Sequence, residues 1–158
     1  MSERIKKAKE ELTKAYEVTG ISIINEALDI IFKYQTMSPT DPDFSIEEMQ
    51  RDSIVLTSIN FTLHTYTVKY EAEADRKKSE VKFERAREFN AQKVIDPKMS
   101  DKKCEYIAEE KIYETIKQEI EARKTARYLD VAWQRAVDVV NMLKKIVERS
   151  MWQGPQAT

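Results

Sequence analysis

Apolar residues recur at intervals of three and four along nearly the whole chain, the spacing of one helix face. The first such stretch, about residues 3 to 35, carries Ile5, Ala8, Leu12, Ala15, Thr19, Ile23, Ala27, Ile30 and Tyr34. Gly20 interrupts it, and the pattern is compatible with one weakened helix or with two shorter ones. A break rich in proline and aspartate follows at Met37-Ser38-Pro39-Thr40-Asp41-Pro42-Asp43.

The second stretch has a marked start. Ser45 and Glu48 have the spacing of a capping box, and Phe44 and Met49 flank it as a hydrophobic staple would. The helix predicted from Ile46 to about Gln92 carries a stripe of Ile46, Met49, Ser53, Leu56, Ile59, Leu63, Tyr66, Tyr70 and Ala74. The run Ile59-Asn60-Phe61-Thr62-Leu63-His64-Thr65 alternates like a strand and is rich in residues that favour one. The helix reading prevails because the stripe passes through it and Lys/Glu/Ala-rich sequence continues beyond. After a second break at Ile95-Asp96-Pro97-Lys98-Met99-Ser100, a third helix is predicted from Asp101 to Met151, with Ser100 as N-cap. Its stripe is Cys104, Ala108, Ile112, Ile116, Ala122, Ala126, Leu129, Trp133, Ala136, Val140, Leu143 and Ile146.

The two long stripes fit one antiparallel register. Ile46 then faces Ile146, Met49 faces Leu143, Ile59 faces Trp133, Leu63 faces Leu129 and Tyr66 faces Ala126. Near the loop the pairing thins to Val81 with Ile112 and a few alanines. The expected fold is all-α: a long antiparallel helical hairpin over 45–151, an N-terminal helical element over 1–36 and a tail at 152–158. Phe61, Val68, Phe83, Val131, Val139 and Val147 fall off the seam. They require cover from the N-terminal helices or from other copies, so a homo-oligomer is expected.

Composition narrows the classes. Gly and Pro total 6 of 158 residues, too few for a turn-rich β-fold. Charged residues make up 35% of the chain, mixed in sign, with a net charge of -1, which argues against a uniformly basic nucleic-acid binder. One cysteine excludes an intrachain disulfide, no apolar run is long enough to span a membrane, and the charged N-terminus has no secretory pattern. A cytoplasmic location is expected.

Enzyme chemistry has little to stand on. His64 is the only histidine and lacks the spacing of a di-iron helix motif, so a structural or surface role is expected. Cys104 has no partner cysteine and reads as a small buried residue. Two glycines cannot make a phosphate-binding loop. No cofactor or metal is expected. Trp133 falls in the seam, whereas Trp152 lies beyond it and reads as a partner contact.

The remaining candidates are basic. Arg76, Lys77, Lys78, Lys82, Arg85 and Arg87 crowd one helix, and Arg123, Lys124 and Arg127 crowd the other. In the proposed register the second cluster lies beside Tyr66 and Tyr70, and cations near aromatic rings are what a single-strand binding surface needs. The competing reading is a solvated, salt-bridged face, because residues 71 to 90 hold six acidic and six basic side chains.

The Lys/Glu-rich helix from Glu71 to Phe89, the short polar connection after it and the returning helix from Thr125 to Ile146 resemble the UvsY-type recombination mediators of tailed bacteriophages. The basic and aromatic run Lys82 to Phe89 is similar to the family's run before its loop. The likeness covers about residues 65 to 151. It implies a non-enzymatic, multimeric protein that binds single-stranded DNA and helps a recombinase displace single-strand-binding protein, in the host cytoplasm. Carried over by position, Lys82, Arg85 and Arg87 would contact DNA, with Lys78, Arg123 and Arg127 beside them. The reading from another class is a small helical phage protein, an inhibitor or assembly factor, acting on a protein partner through its hairpin.

Overall fold

The computed structural model describes residues 2–36 and 45–152. It contains five helices: α1 (Ser2–Thr19), α2 (Ile23–Thr36), α3 (Ile46–Ile95), α4 (Asp101–Lys111) and α5 (Tyr113–Trp152). No strand occurs among the described residues. The staple residue Phe44, the break at 37–43 and the tail beyond Trp152 lie outside the described residues.

Gly20 divides the first stretch into two helices. Its φ of +65° is the left-handed conformation that a side chain disfavours, and its N–H bonds the carbonyl of Tyr16 at 2.7 Å. That is a left-handed C-cap, so α1 ends there. The turn also resets the phase of the pattern. In α1 the predicted face Ile5, Ala8, Leu12 and Ala15 is buried as read. In α2 the buried face is Ile24, Ala27, Ile31 and Tyr34, one position on from the predicted Ile23 and Ile30.

α3 begins where the sequence places it, with Ser45 Oγ accepting a hydrogen bond from the Glu48 N–H at 3.2 Å. Its strand-like run is helical. Thr57, Thr62, Thr65 and Thr67 each donate their hydroxyl to the carbonyl four residues back. This takes the hydroxyl out of competition for the backbone and makes a β-branched residue tolerable in a helix.

The predicted stripe on α3 needs one correction. Strict alternation of three and four places Asn60 and Thr67 in the seam, where Ile59 and Tyr66 were expected. Asn60 and Thr67 are buried, as is Ser53, while Ile59 is buried beside them and Tyr66 is only half-buried. Polar residues thus occupy every seventh position of a buried face.

The third predicted helix is two helices. Ile112 has φ -101° and ψ 16°, outside the helical range, and separates α4 from α5 while its N–H still bonds the Ala108 carbonyl. Ser100 caps α4 as expected, its Oγ accepting from the Lys103 N–H at 3.4 Å.

The chain forms two compact units. The first comprises residues 1–67 and 127–158: α1, α2, the start of α3 and the end of α5. Its core is large and aliphatic, with Ile5, Leu12, Ile24, Ile31, Met49, Leu56, Leu63, Leu129, Val139 and Leu143 fully buried. Val139 and Val147, expected to need cover, are buried here. Trp133 is half-buried, and the His64 ring stacks on it at 4.5 Å, where the sequence register placed Ile59. α2 is clamped to α3 through Asp52, whose Oδ2 accepts from Tyr34 Oη at 2.7 Å and lies 3.3 Å from Lys33 Nζ.

The second unit, residues 68–126, consists of the rest of α3 with α4 and the start of α5. Lys77 donates to Gln118, Thr115 donates to Glu84, and Arg85 and Lys93 pair with Glu109 and Asp101. Partner numbers fall as α3 numbers rise, so the helices run antiparallel. The buried residues are small or few: Ala74, Val81, Gln92, Cys104, Ala108, Ile112 and Ala126.

Candidate functional site

The basic residues singled out on α3 do not share one face of that helix. On α3, Lys78, Lys82 and Arg85 follow at intervals of four and three and share a flank with Phe89, four residues further on. Arg87 does not join them. Two residues beyond Arg85, at about 100° per residue, it points to a different side of the helix.

The ion pairs divide the set again. Arg85 is 3.2 Å from Glu109 of α4, Arg87 is 3.3 Å from its neighbour Glu88, and Arg123 is paired with Glu119 one turn earlier. These three reproduce the solvated, salt-bridged face that competed with the DNA reading. Among the described residues Lys78, Lys82 and Arg127 have no ion pair, and all three are exposed. Within the second unit, Lys78 and Lys82 are thus two adjacent cations, one turn apart, on a flank that also carries an aromatic ring.

The surroundings of Tyr70 differ from the cationic, aromatic surface that was expected. Tyr70 lines a shallow groove with Glu73, Lys77, Gln118, Glu121, Ala122 and Thr125. Two carboxylates there face one ammonium, a balance that repels a phosphate chain. Arg123 does not line this groove.

A groove in the first unit was not anticipated. α1 contributes Glu3, Arg4 and Lys7, and α5 contributes Arg135, Asp138, Asn141 and Lys145. Glu3 is matched by Lys7 at 2.8 Å and Asp138 by Arg135 at 3.2 Å, which leaves Arg4 and Lys145 as surplus positive charge. The Lys7 hydrogen bond and charge hold the Glu3 carboxyl below its ordinary range. Arg4 and Lys7 belong to a basic N-terminal segment legible in the sequence. Their meeting with Arg135 and Lys145 depends on how α1 packs on α5, which no local pattern encodes.

Apolar side chains stand outside in both units. In the first, Ile54, Val55 and Phe61 lie on α3, Phe32 on α2 with Lys9 Nζ 4.8 Å from its ring centre, and Trp152 is 91% exposed at the end of α5. In the second, Phe83 stands on α3, and Tyr106, Tyr113 and Ile120 recur every seven residues along α4 and α5.

Chemistry-bearing groups are sparse. Cys104 is fully buried, as the sequence indicated, and His64 is occupied by its stacking on Trp133. Among the described residues, no three His, Cys, Asp or Glu side chains converge as a metal site requires, and no helix is long and apolar enough to cross a membrane. No family model, curated protein or solved structure matches the chain.

Proposed function

We propose that this protein acts without catalysis, by presenting helix faces to a protein partner, and that the second unit is its contacting arm. The observation that carries this reading is an inversion of burial. Phe83, Tyr106, Tyr113 and Ile120 are each more than half exposed, while the largest aliphatic side chains buried in the same unit are Val81 and Ile112. A helical pair that hides less large apolar surface than it displays gains from a further helix laid against it. Tyrosine is also a favoured contact residue, since it adds area at little entropic cost. An inhibitor or assembly factor is the functional class that fits.

A photo-crosslinking amino acid at Tyr113, introduced in cells that make the protein, tests this. The reading expects one discrete adduct, lost when Phe83 and Tyr106 are replaced by alanine with helicity unchanged. Failure to form any adduct, in a protein that remains helical, would remove it.

A second reading has its own support. The unpaired Lys78 and Lys82, with Phe89 two turns beyond Lys82 on the same flank, are the minimum of a phosphate-tracking and base-stacking surface. This favours single-stranded DNA as a ligand, and with it the recombination-mediator role, in which the chain would aid a recombinase against single-strand-binding protein. Fluorescence anisotropy with a labelled single strand separates the two readings. DNA binding that weakens with salt, with a logarithmic slope of roughly 0.7 per phosphate contact, supports the second; no binding at low salt excludes it.

A further inference from the structure

The groove between α1 and α5 in the first unit holds charge that neither helix accounts for. It has a volume of about 480 Å³ and is lined by Arg4, Lys7, Arg135 and Lys145, with Glu3, Asp138 and Asn141 among them. Each carboxylate is taken by one cation, Glu3 by Lys7 at 2.8 Å and Asp138 by Arg135 at 3.2 Å. Among the described residues Arg4 and Lys145 make no ion pair. Neighbouring charges along the same two faces do not absorb this surplus. Glu11 is held by Lys14 at 3.0 Å, and Glu148, one turn beyond Lys145, is followed directly by Arg149.

The order of charges also works against α1. A helix dipole favours carboxylates in the first turn and cations in the last. In α1, Arg4, Lys6 and Lys7 stand near the start, Glu17 stands near the end, and the last turn has no basic residue. Lys145 adds a further like charge from α5, and like charges brought to one groove raise its energy when it is empty. An anion that takes both surplus charges removes that penalty.

We propose that this groove binds one phosphate group in its dianionic form, carried by a free phosphate ester or a lipid headgroup. Four cations against two carboxylates leave a surplus of two positive charges. A phosphate monoester carries about −1.5 to −2 at neutral pH, on three acceptor oxygens. The Arg4 guanidinium is a fork that matches two of those oxygens, Lys145 supplies a compact charge, and the Asn141 amide is a donor for the third. Glu3 and Asp138 restrict the site to a single phosphate, because they repel the successive charges of a nucleic-acid strand. The groove shares no residue with the contacting arm, so either can fail alone.

A nuclear magnetic resonance titration with glycerol 3-phosphate tests the proposal. Amide shifts should saturate at residues 3–7 and 135–145, and sodium chloride at the same ionic strength should not reproduce them. Arg4→Gln combined with Lys145→Gln should weaken binding about ten-fold or more without lowering the thermal midpoint of the unliganded protein. Lys78→Gln combined with Lys82→Gln should leave binding unchanged. Sedimentation with phosphatidylcholine vesicles containing phosphatidic acid identifies the source: retention that glycerol 3-phosphate displaces assigns a lipid headgroup, and absence of retention assigns a free ester. Shifts that chloride reproduces, or an affinity unchanged by the Arg4 and Lys145 substitutions, overturn the proposal. A single-stranded oligonucleotide that occupies the groove at lower concentration than the ester overturns the restriction to one phosphate.

Discussion

The two units use the same pair of long helices and fill the space between them differently. In the first, α3 and α5 meet through Leu56, Leu63, Leu129 and Leu143, and α1 and α2 add Ile5, Leu12, Ile24 and Ile31. In the second, the space holds Ala74, Val81, Cys104, Ala108 and Ile112, and ion pairs tie the flanks. Burial of a leucine or isoleucine side chain is worth about 1.5–3 kcal/mol, whereas an exposed ion pair is worth about 0–1 kcal/mol. The difference separates a unit with a large aliphatic core from one that leaves much of its large apolar surface exposed.

Core truncation gives the sharpest contrast. Leu63→Ala in the first unit should cost about 2–5 kcal/mol, and Val81→Ala in the second about 1–2 kcal/mol. Denaturant melts of the two variants check this. Similar losses would mean that the small seam is packed as tightly as the large one.

The helix boundary at Gly20 comes next. Nothing lies within 4 Å of a Cβ built there, so Gly20→Ala pays only for the left-handed backbone, about 1–2 kcal/mol. A thermal melt should show this loss without any change in helical content.

The Asp52 clamp adds a dependence on alkali to the first unit. Burial, together with the Asp52 hydrogen bond, raises the Tyr34 phenol well above its ordinary pKa of 10. Burial works against the Lys33 ammonium, but the Asp52 and Glu48 carboxylates outweigh it and raise that pKa as well. Both folded values exceed the unfolded ones. The stabilisation is therefore complete below about pH 10 and is lost as pH climbs through the folded values. An ultraviolet tyrosinate titration should show one phenol ionising after the others, and Asp52→Asn should shorten the delay without removing it, because burial of the ring persists.

The smallest effect belongs to Arg85. Its pair with Glu109 is about half exposed on both sides, so Arg85→Ala should change stability by less than about 1 kcal/mol, and less still in high salt.

These contrasts also mark what the sequence could disclose. The helix starts at Ile46 and Asp101 were legible because Ser45 and Ser100 are local signals acting within one turn. The seam residues Leu56, Leu63, Leu129 and Leu143 were legible because their spacing is periodic. The interruption at Ile112 was not, since neither Gly nor Pro marks it and the apolar spacing continues across it. The burial of Asn60 and Thr67 was hidden by Ile59 and Tyr66, which are more apolar and adjacent. Lys78, Lys82, Arg85, Arg87, Arg123 and Arg127 could be found by composition, but which of them are paired depends on the register between helices. Arg85 and Glu109 are joined only when the fold brings α4 back along α3.

Hydrogen exchange resolved along the full chain tests the central contrast most directly. Amides of residues 49–66 and 129–147 should be protected to the level of global unfolding, and those of 70–92 and 102–125 should exchange at least ten-fold faster in the isolated protein. Equal or greater protection in the second group would contradict the account, because it would show that the small seam suffices and that the exposed Phe83, Tyr106, Tyr113 and Ile120 need no covering helix.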